Sequence, residues 1–378
     1  MQAAVLQENL KDALGLVRRA AGSKASLPVL GNVLLQANGD GKLTLSATDL
    51  ELSLTCRAGA KIDAPGAITV PASTFADLVG TLPPGQVTLG LETTSQTLTL
   101  KCGSTEAEIK GISAAEFPLM PDWPEARLHV PIEDFREIVN QVTFAAATEN
   151  SRPILTAVLV KFEPGALTMV TADGFRIAER VLELETGAQG PLTLLVPAKG
   201  LVEAARAIKD AEGDVAIALP ETRNQVMFSA GDVEVVSQLI DGNFPAYKQI
   251  IPPDLPTVAV MDRLAFLHAC RRAEIFARES ANTVRLAIEP GASDLAPGTI
   301  TLRATSQETG QNESVVTASI SGPKLDIAFN VKFLIEWLRT ADTEQVSLSA
   351  RSESSPGVLK PVGMDGYLYV LMPMHIHR

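Results

Sequence analysis

Apolar positions recur every three or four residues in six separate stretches of the chain, a spacing typical of amphipathic helices. The first stretch shows the pattern at Leu6, Leu10, Leu14 and Val17. The same spacing predicts helices over residues 7–20, 71–82, 131–148, 197–210, 262–279 and 330–340.

Between the predicted helices, polar and apolar residues alternate with a period of two, which is typical of strands with one buried face. The segment KLTLSATDLELSLT from Lys42 is an example. A helix, two strands, a short edge strand, a second helix and a meander of strands follow one another three times. We therefore expect an α+β fold in which each of three modules packs two helices on an antiparallel sheet.

Short sequence motifs repeat with the same order and a nearly constant offset. VPASTFADLV begins at Val70 and VPAKGLVEAA at Val196, 126 residues later, with a third version, FNVKFLIEWL, from Phe329. LSATDLELSL from Leu45 has counterparts in MVTADGFRIA from Met169 and LRATSQETGQ from Leu302. The chain thus reads as three copies of one fold.

Proline-rich segments mark where the copies should join. Proline fixes φ and resists both helix and central strand, so PLMPDWPEARLHVP and FPAYKQIIPPDLPTV are predicted to be extended connectors. We expect domains over residues 1–125, 126–254 and 255–378. Because a lone module leaves sheet edges open, modules joined edge to edge would solve the problem by closing into a ring.

Composition and charge narrow the possible classes of protein, and the charge is unevenly divided between helices and the rest of the chain. The chain of 378 residues is 46% hydrophobic and 20% charged, with a net charge of −12, which excludes a disordered tail protein and a wholly basic nucleic-acid coat. The six predicted helices together carry +1, so everything outside them carries −13. If the helices line an inner surface, that surface could attract nucleic-acid phosphates independently of base sequence. The alternative is that these Arg and Lys residues simply lie on solvent-exposed helix faces and have no binding role.

Cysteine usage and hydropathy favour a cytoplasmic protein. Cys56, Cys102 and Cys270 lie far apart in the sequence, and their odd number leaves at least one of them unpaired in any disulfide scheme. A reducing compartment is therefore the economical interpretation. We find neither a signal-peptide layout at the start of the chain nor an apolar run long enough to span a bilayer.

A search for reactive constellations yields no convincing catalytic site. His375 and His377 could in principle hold a metal, but a plain chain end is the more economical interpretation. The segment from Gly39 to Lys42 resembles part of a phosphate loop but lacks the following Ser or Thr. We therefore expect no catalytic residues, no cofactor and no metal. The alternatives left open are a non-catalytic repeat scaffold and a small-substrate enzyme with a cleft between repeats.

Six motifs in register give the chain a specific resemblance. They are LPVLGNVLLQ followed by LSATDLELSL, the turn ADGFRIA, the segment VPAKG, the connector DGNFPAYKQIIP and the terminal YLYVLMPM. Together they resemble the bacterial DNA polymerase III β sliding clamps over the whole chain. The resemblance implies a non-catalytic processivity factor in which two three-domain protomers close head to tail into a ring around duplex DNA. It also implies as partners the polymerase III catalytic subunit, the clamp loader and other polymerases, repair and ligation enzymes, which bind through linear motifs.

The resemblance carries over a set of DNA-contact positions. Ser73 and Glu149 depart from the basic or amide residues found there in relatives, which weakens a direct phosphate contact, and Arg152 could serve in place of Glu149. The predicted DNA-binding residues are Lys24, Ser73, Glu149, Arg152, Pro153, Ile154, Lys199, Arg206 and Lys209.

Two further sets of residues follow from the same resemblance. The predicted partner-peptide cleft comprises Leu155, Ala172, Gly174, Phe175, Arg176, Ile177, Pro245, Ile250, Val370, Met372, Pro373 and Met374. Methionines suit varied apolar anchors, although strand alternation into a core would also explain them. The predicted dimer contacts are Ala107, Ile109, Ile275 and Phe276.

Overall fold

The computed structural model describes residues 1–22, 27–149, 151–220, 224–293 and 296–375. Within these ranges the chain forms six α-helices and twenty-five β-strands in three successive repeats. None of the helices in them is long and apolar enough to cross a membrane.

The first repeat contains two helices, α1 (Gln7–Val17) and α2 (Ala72–Thr81). Its strands are β1 (Gln2–Leu6), β2 (Asn32–Ala37), β3 (Lys42–Thr48), β4 (Leu52–Ala64), β5 (Gly66–Pro71), β6 (Gln86–Glu92), β7 (Thr97–Cys102), β8 (Thr105–Lys110) and the two-residue β9 (Ile112–Ser113).

The second repeat has the same order, with helices α3 (Ile132–Thr143) and α4 (Ala198–Ala207). Its strands are β10 (Leu128–Pro131), β11 (Ala157–Glu163), β12 (Ala166–Ala172), β13 (Arg176–Glu183), β14 (Leu192–Pro197), β15 (Asp214–Ala218), β16 (Gln225–Ala230) and β17 (Val233–Gln238).

The third repeat contains helices α5 (Arg263–Ala277) and α6 (Val331–Thr340). Its strands are β18 (Thr257–Asp262), β19 (Thr283–Glu289), β20 (Gly298–Ser306), β21 (Gly310–Ser321), β22 (Leu325–Asn330), β23 (Gln345–Ala350), β24 (Gly357–Pro361) and β25 (Tyr367–Leu371).

All six predicted helices are present, but the strand count per repeat was predicted too low. A short strand precedes the first helix of every repeat, and four strands rather than three separate the two helices of the first repeat. Leu6, assigned by periodicity to the helix, is the last residue of β1 and is 57% exposed. The apolar spacing runs on from β1 into α1 without a break, so periodicity alone could not separate the strand from the helix.

Each helix buries the apolar stripe that predicted it. Leu10 and Leu14 on α1, Phe75 on α2 and Trp337 on α6 are all fully buried. Burial of one such side chain contributes on the order of 2 kcal/mol, so these stripes hold the helices on their sheets.

Polar caps fix the start of both helices in the third repeat. Asp262 accepts a hydrogen bond from the amide of Ala265 at 2.6 Å, and Asn330 accepts one from the amide of Lys332 at 3.0 Å. Each cap satisfies an amide that the first helical turn leaves without a partner.

The described chain divides into two compact units that do not follow the repeats. One unit comprises Met1–Arg136 and Lys199–Leu239, and the other comprises Glu137–Ala198 and Ile240–Arg378. A 13-stranded antiparallel network lies in the first unit and a 12-stranded antiparallel sheet in the second. The second repeat therefore contributes strands to both sheets.

Successive repeats are joined by pairing between strands. In the first unit β17 pairs antiparallel with β4, with Val233 opposite Cys56. In the second unit β25 pairs antiparallel with β13, with Tyr367 opposite Arg180. In both junctions the eighth strand of a repeat adds to the fourth strand of the preceding repeat.

Candidate functional site

The predicted cleft residues lie in the second unit, and several share one apolar cluster. Leu155, Ala172, Ile177 and Val370 are buried together with Tyr247 in this cluster. They come from the 3-10 turn Pro153–Thr156 and from β12, β13 and β25, so the cluster forms at the junction of the second and third repeats.

Exposed apolar side chains accompany the buried cluster. Phe175 is 64% exposed, Ile250 is 47% exposed and Met372 is 38% exposed. The amide of Met372 donates to the carbonyl of Phe175 at 2.8 Å, which holds these two residues side by side. Contiguous apolar groups open to water are found at binding surfaces, which makes these three residues a candidate site.

The turn between β12 and β13 is shaped by one aspartate and one glycine. Asp173 Oδ1 accepts from the amides of Phe175 at 2.9 Å and Arg176 at 3.1 Å. Gly174 has φ of +94°, a left-handed conformation that other residues adopt at a cost. The turn therefore presents Phe175 outward in a fixed position.

Arg176, predicted as a cleft residue, points into the protein. Its guanidinium binds Asp173 at 2.8 Å, the carboxylate of Glu336 on α6 and the carbonyl of Phe144 at 2.8 Å. It also stacks on the ring of Phe333, 4.1 Å from its centroid. Arg176 is only 8% exposed, so it ties the turn to the third repeat and presents no free charge to a partner.

Tyr247 anchors the segment that carries Pro245 and Ile250. Its ring is buried in the apolar cluster, and its hydroxyl donates to the carboxylate of Glu179 on β13. Burial, with help from this hydrogen bond, raises the pKa of Tyr247 well above its ordinary value, so the hydroxyl stays protonated and remains a donor. Pro245 and Ile250 on either side are exposed.

The C-terminal segment after β25 is held at a second point. The amide of Met374 donates to the carbonyl of Ala328 on β22 at 2.8 Å, and Thr283 lies 3.5 Å from the Met374 sulfur. Pro373 and Met374 are half-buried as a result. Residues 376–378, including His377 of the possible metal pair, lie outside the described part of the chain.

Of the nine predicted DNA-binding residues, eight lie in the described part of the chain, four in the second unit and four in the first. Lys24 lies outside the described residues. Glu149, Arg152 and Pro153 are exposed in the second unit, whereas the half-buried Ile154 packs against the apolar cluster of the cleft.

The other group lies in the first unit, where each cation is close to a carboxylate. Ser73 is exposed on α2, and Lys199, Arg206 and Lys209 are exposed on or just after α4. Lys199 pairs with Asp49 at 2.9 Å, and Lys209 lies 3.6 Å from Asp210. These contacts reduce the positive charge that the helix can offer to phosphates.

Glu203 on α4 is buried between two arginines. Arg19 binds it through two contacts of 2.5 and 2.9 Å, and Arg206 approaches it at 3.0 Å. The three residues together keep a charge of +1 and link the 3-10 turn Arg18–Ala20, which follows α1 in the first repeat, to α4 in the second. Arg19 was missed by sequence reasoning, because the pairing spans 184 residues and no local motif signals it.

The predicted dimer contacts lie on β8 and α5. Ala107 is half-buried, and Ile109 is only 6% exposed because its side chain packs inside its own repeat. Ile275 is 58% exposed on α5, and Phe276 is half-buried. No group of three or more His, Cys, Asp or Glu side chains suited to a metal occurs among the described residues.

Comparisons with known proteins cover the whole chain. Residues 1–121, 129–246 and 248–375 match the N-terminal, central and C-terminal domains of the DNA polymerase III beta subunit. The beta sliding clamp of Synechococcus elongatus is 34% identical over 98% of both chains, and that of Pseudomonas putida is 30% identical over the full length of both.

Solved structures agree with these sequence matches. The DNA polymerase III subunit beta of Pseudomonas aeruginosa superposes with a TM-score of 0.89 at 30% identity, covering 99% of this chain and all of that one. The sliding clamp of Bacillus subtilis superposes with a TM-score of 0.92 at 26% identity, covering both chains fully. The predicted α+β fold of three clamp domains is confirmed.

The buried position of Arg176 predicts a large loss of stability on its removal. Arg176→Met should lower the free energy of unfolding by about 3 kcal/mol, because Asp173 and Glu336 would keep their charges without a partner. Urea unfolding followed by tryptophan fluorescence measures the change. Arg285→Met is the matched control, since its pair with Asp326 is half exposed on both sides and should contribute little. Equal midpoints for the two variants would contradict the assigned role.

Proposed function

The chain belongs to the bacterial DNA polymerase III β sliding clamp family, and on that premise we propose how it closes into a ring, holds DNA and binds its partners. It is a processivity factor of DNA polymerase, a non-catalytic subunit as predicted from the sequence. Membership of the family sets aside the small-substrate enzyme and the unrelated scaffold. The observation that carries the rest is the strand pairing by which one repeat joins the next.

Ring closure follows from two sheet edges that repeat the internal junctions. Among the described strands, β8 pairs with β7 alone. β21 pairs with β20 along residues 310–318 and with β18 only from residue 318 onward. These strands are the eighth of the first repeat and the fourth of the third, the same two positions that pair in both internal junctions. We propose that β8 of one copy pairs with β21 of a second copy, head to tail.

We infer the register of this contact from the internal junctions. Val233, the first residue of β17, lies opposite Cys56, which faces Leu45 at the start of the repeated LSATDL motif. The second junction has the same arrangement. Tyr367, the first residue of β25, lies opposite Arg180, which in turn faces Met169 at the start of the MVTADG motif.

The corresponding residues at the seam are Thr105, the first residue of β8, and Ser314, which faces Leu302. Thr105 of one copy then lies opposite Ser314 of the other, and Ala107 opposite Asn312. The α5 helix packs on the face of β21 that carries Ser314, because Arg272 of α5 contacts Ser314 at 3.1 Å. In this register Ala107 and Ile109 point to that same face of the joined sheet. The predicted contacts with Ile275 and Phe276 are therefore compatible with it.

Two copies joined at both ends enclose a hole, and we propose that duplex DNA passes through it. Retention is then topological, and direct attraction is weak because Lys199, Arg206 and Lys209 each lie close to a carboxylate. Weak, sequence-independent attraction suits a protein that must slide. Such a clamp works on the chromosome, and we propose a cytoplasmic location on that ground.

The exposed apolar residues at the second junction fit the binding of short peptides. We propose that linear segments of the polymerase catalytic subunit, the clamp loader and other polymerases, repair and ligation enzymes place apolar anchors beside Phe175, Ile250 and Met372. Beneath them lies the buried cluster around Leu155, Ile177 and Val370, which supplies a rigid floor. Peptides ordered on binding should reach micromolar affinity, with most of it in one or two anchors.

The Lys199–Asp49 pair predicts opposite effects on DNA binding from its two members. Asp49→Asn should raise affinity for a short duplex several-fold by freeing Lys199, because asparagine keeps the Oδ1 acceptor of the local turn. Lys199→Ala should lower affinity uniformly across sequences and reduce the salt slope by about one. Fluorescence anisotropy at two salt concentrations measures both. Asp63→Asn, which frees Lys61 on β4, is the control, and an equal gain there would argue against contact at Lys199.

The exposed apolar residues predict a selective loss of peptide binding. Ile250→Arg should weaken a fluorescent peptide with Leu/Phe anchors by at least about tenfold, because the charge would be desolvated against the anchors. Leu264→Arg on α5 is the control, since Leu264 is similarly exposed in the same unit. Both variants should keep the wild-type unfolding midpoint. Equal peptide affinities would show that the binding surface lies elsewhere.

The proposed register predicts one specific disulfide between copies. Ala107→Cys combined with Asn312→Cys should give a covalent dimer on mild oxidation, since directly opposed residues in antiparallel strands lie within disulfide range. Ala107→Cys with Gln311→Cys should not, because neighbouring residues point to opposite faces. The native thiols stay silent, being buried, and burial raises the pKa of Cys56 to about 11, with Asp232 adding to the effect. Equal yields from the two pairs on a denaturing gel would contradict the register.

A further inference from the structure

The seam between copies carries an unusual arrangement of charge. On β8, Glu106 is exposed and pairs with Lys101 of β7 at 2.8 Å. On β21, Glu313 is exposed and pairs with Arg303 of β20 at 2.7 Å. Each carboxylate thus stands on an open edge strand, with its own cation on the strand behind it.

The register of the internal junctions brings these two carboxylates together. With Thr105 opposite Ser314, the next residue pair is Glu106 opposite Glu313. Both side chains are on the solvent face, since burial alternates along β8 and β21 and both glutamates occupy exposed positions. We propose that Glu106 of one copy and Glu313 of the other form a like-charged pair that weakens the seam of the ring. This inference rests on the proposed dimer.

The same position in the internal junctions holds only one carboxylate. In the first junction Glu234 lies opposite Thr55 and is bound by Arg57 at 2.8 Å. In the second junction Leu368 lies opposite Glu179, which accepts a hydrogen bond from Tyr247. The covalently continuous junctions are thus electrostatically satisfied at this point.

At the proposed seam, four neighbouring strands carry one charge each, in the order Lys101 on β7, Glu106 on β8, Glu313 on β21 and Arg303 on β20. Lys101 and Arg303 already serve their own carboxylates in the free protomer, so closure adds a repulsive contact and no new cation. Like charges directly opposite in a sheet are destabilising. The pair makes the seam weaker than either internal junction, which places ring opening there and leaves the protomer intact.

Neutral substitutions test the proposal through dimer dissociation. Glu106→Gln and Glu313→Gln should each lower the dimer Kd by about 2- to 30-fold, since each change removes a directly opposed like-charged pair from both identical seams of a closed ring. The double variant should gain little more than either single one, because either change already removes the repulsion. Dilution series by mass photometry or sedimentation measure Kd.

Glu108→Gln is the matched control on the same strand and face. Glu108 is exposed, its neighbour on β7 is Thr99, and the register sets it opposite Gln311 and only diagonal to Glu313, so the dimer Kd should fall much less than for Glu106→Gln. Equal gains for Glu106→Gln and Glu108→Gln, or additive gains in the double variant, would overturn the like-charged pair.

The cysteine pair at Ala107 and Asn312 separates the two proposals. If it cross-links while the glutamine variants leave Kd unchanged, the proposed dimer stands and the repulsive pair is wrong. If it does not cross-link and the wild-type chain is monomeric at all concentrations, both proposals fall.

Discussion

The open edge of an antiparallel sheet is the constraint on which this structure depends. Each edge strand exposes backbone donors and acceptors that must find partners, and a repeat of eight main strands cannot satisfy them alone. The chain meets this need twice by adding an eighth strand to the fourth strand of the preceding repeat. Among the described strands, one eighth strand, β8, and the first part of one fourth strand, β21, are then left without such a partner. The head-to-tail closure that we propose would use the same pairing once more, without a covalent link.

The sequence predicted the helices and the repeats well because both are local or periodic signals. It predicted the placement of single side chains less well. Arg176 was assigned to the cleft, but Glu336, one of its main partners, lies 160 residues away on α6 and turns it inward. Glu203 and Arg19 pair over a similar separation. No local pattern encodes such contacts, since they depend on which strands pair between repeats.

The aromatic residues lie beneath the binding surface that we propose at the second junction. The chain has only three tyrosines, and Tyr247, Tyr367 and Tyr369 all lie at this junction, where Trp337 stacks on Tyr369 at 5.9 Å. Their rings bury apolar area, while their hydroxyls bind Glu179, the carbonyl of Gln141 and the carbonyl of Phe333. Burial raises the pKa of all three above the ordinary value, so they remain neutral donors. The bonded hydroxyls hold the three rings in place, and the exposed apolar groups lie beside this fixed interior.

Ion pairs within the protomer limit how much positive charge the helices can offer to DNA phosphates. A buried Glu203 between two arginines fixes the first junction and also removes positive charge from the helical surface. Under the proposed sliding function, tight phosphate contacts would bring no advantage, because each would have to break for a ring to move along DNA. In the proposed ring, enclosure supplies retention, so the helices would need only to avoid repelling DNA, and their summed charge of +1 would be sufficient. The acidic surplus is then free to lie on sheets and loops, where it disfavours nonspecific contact with nucleic acid.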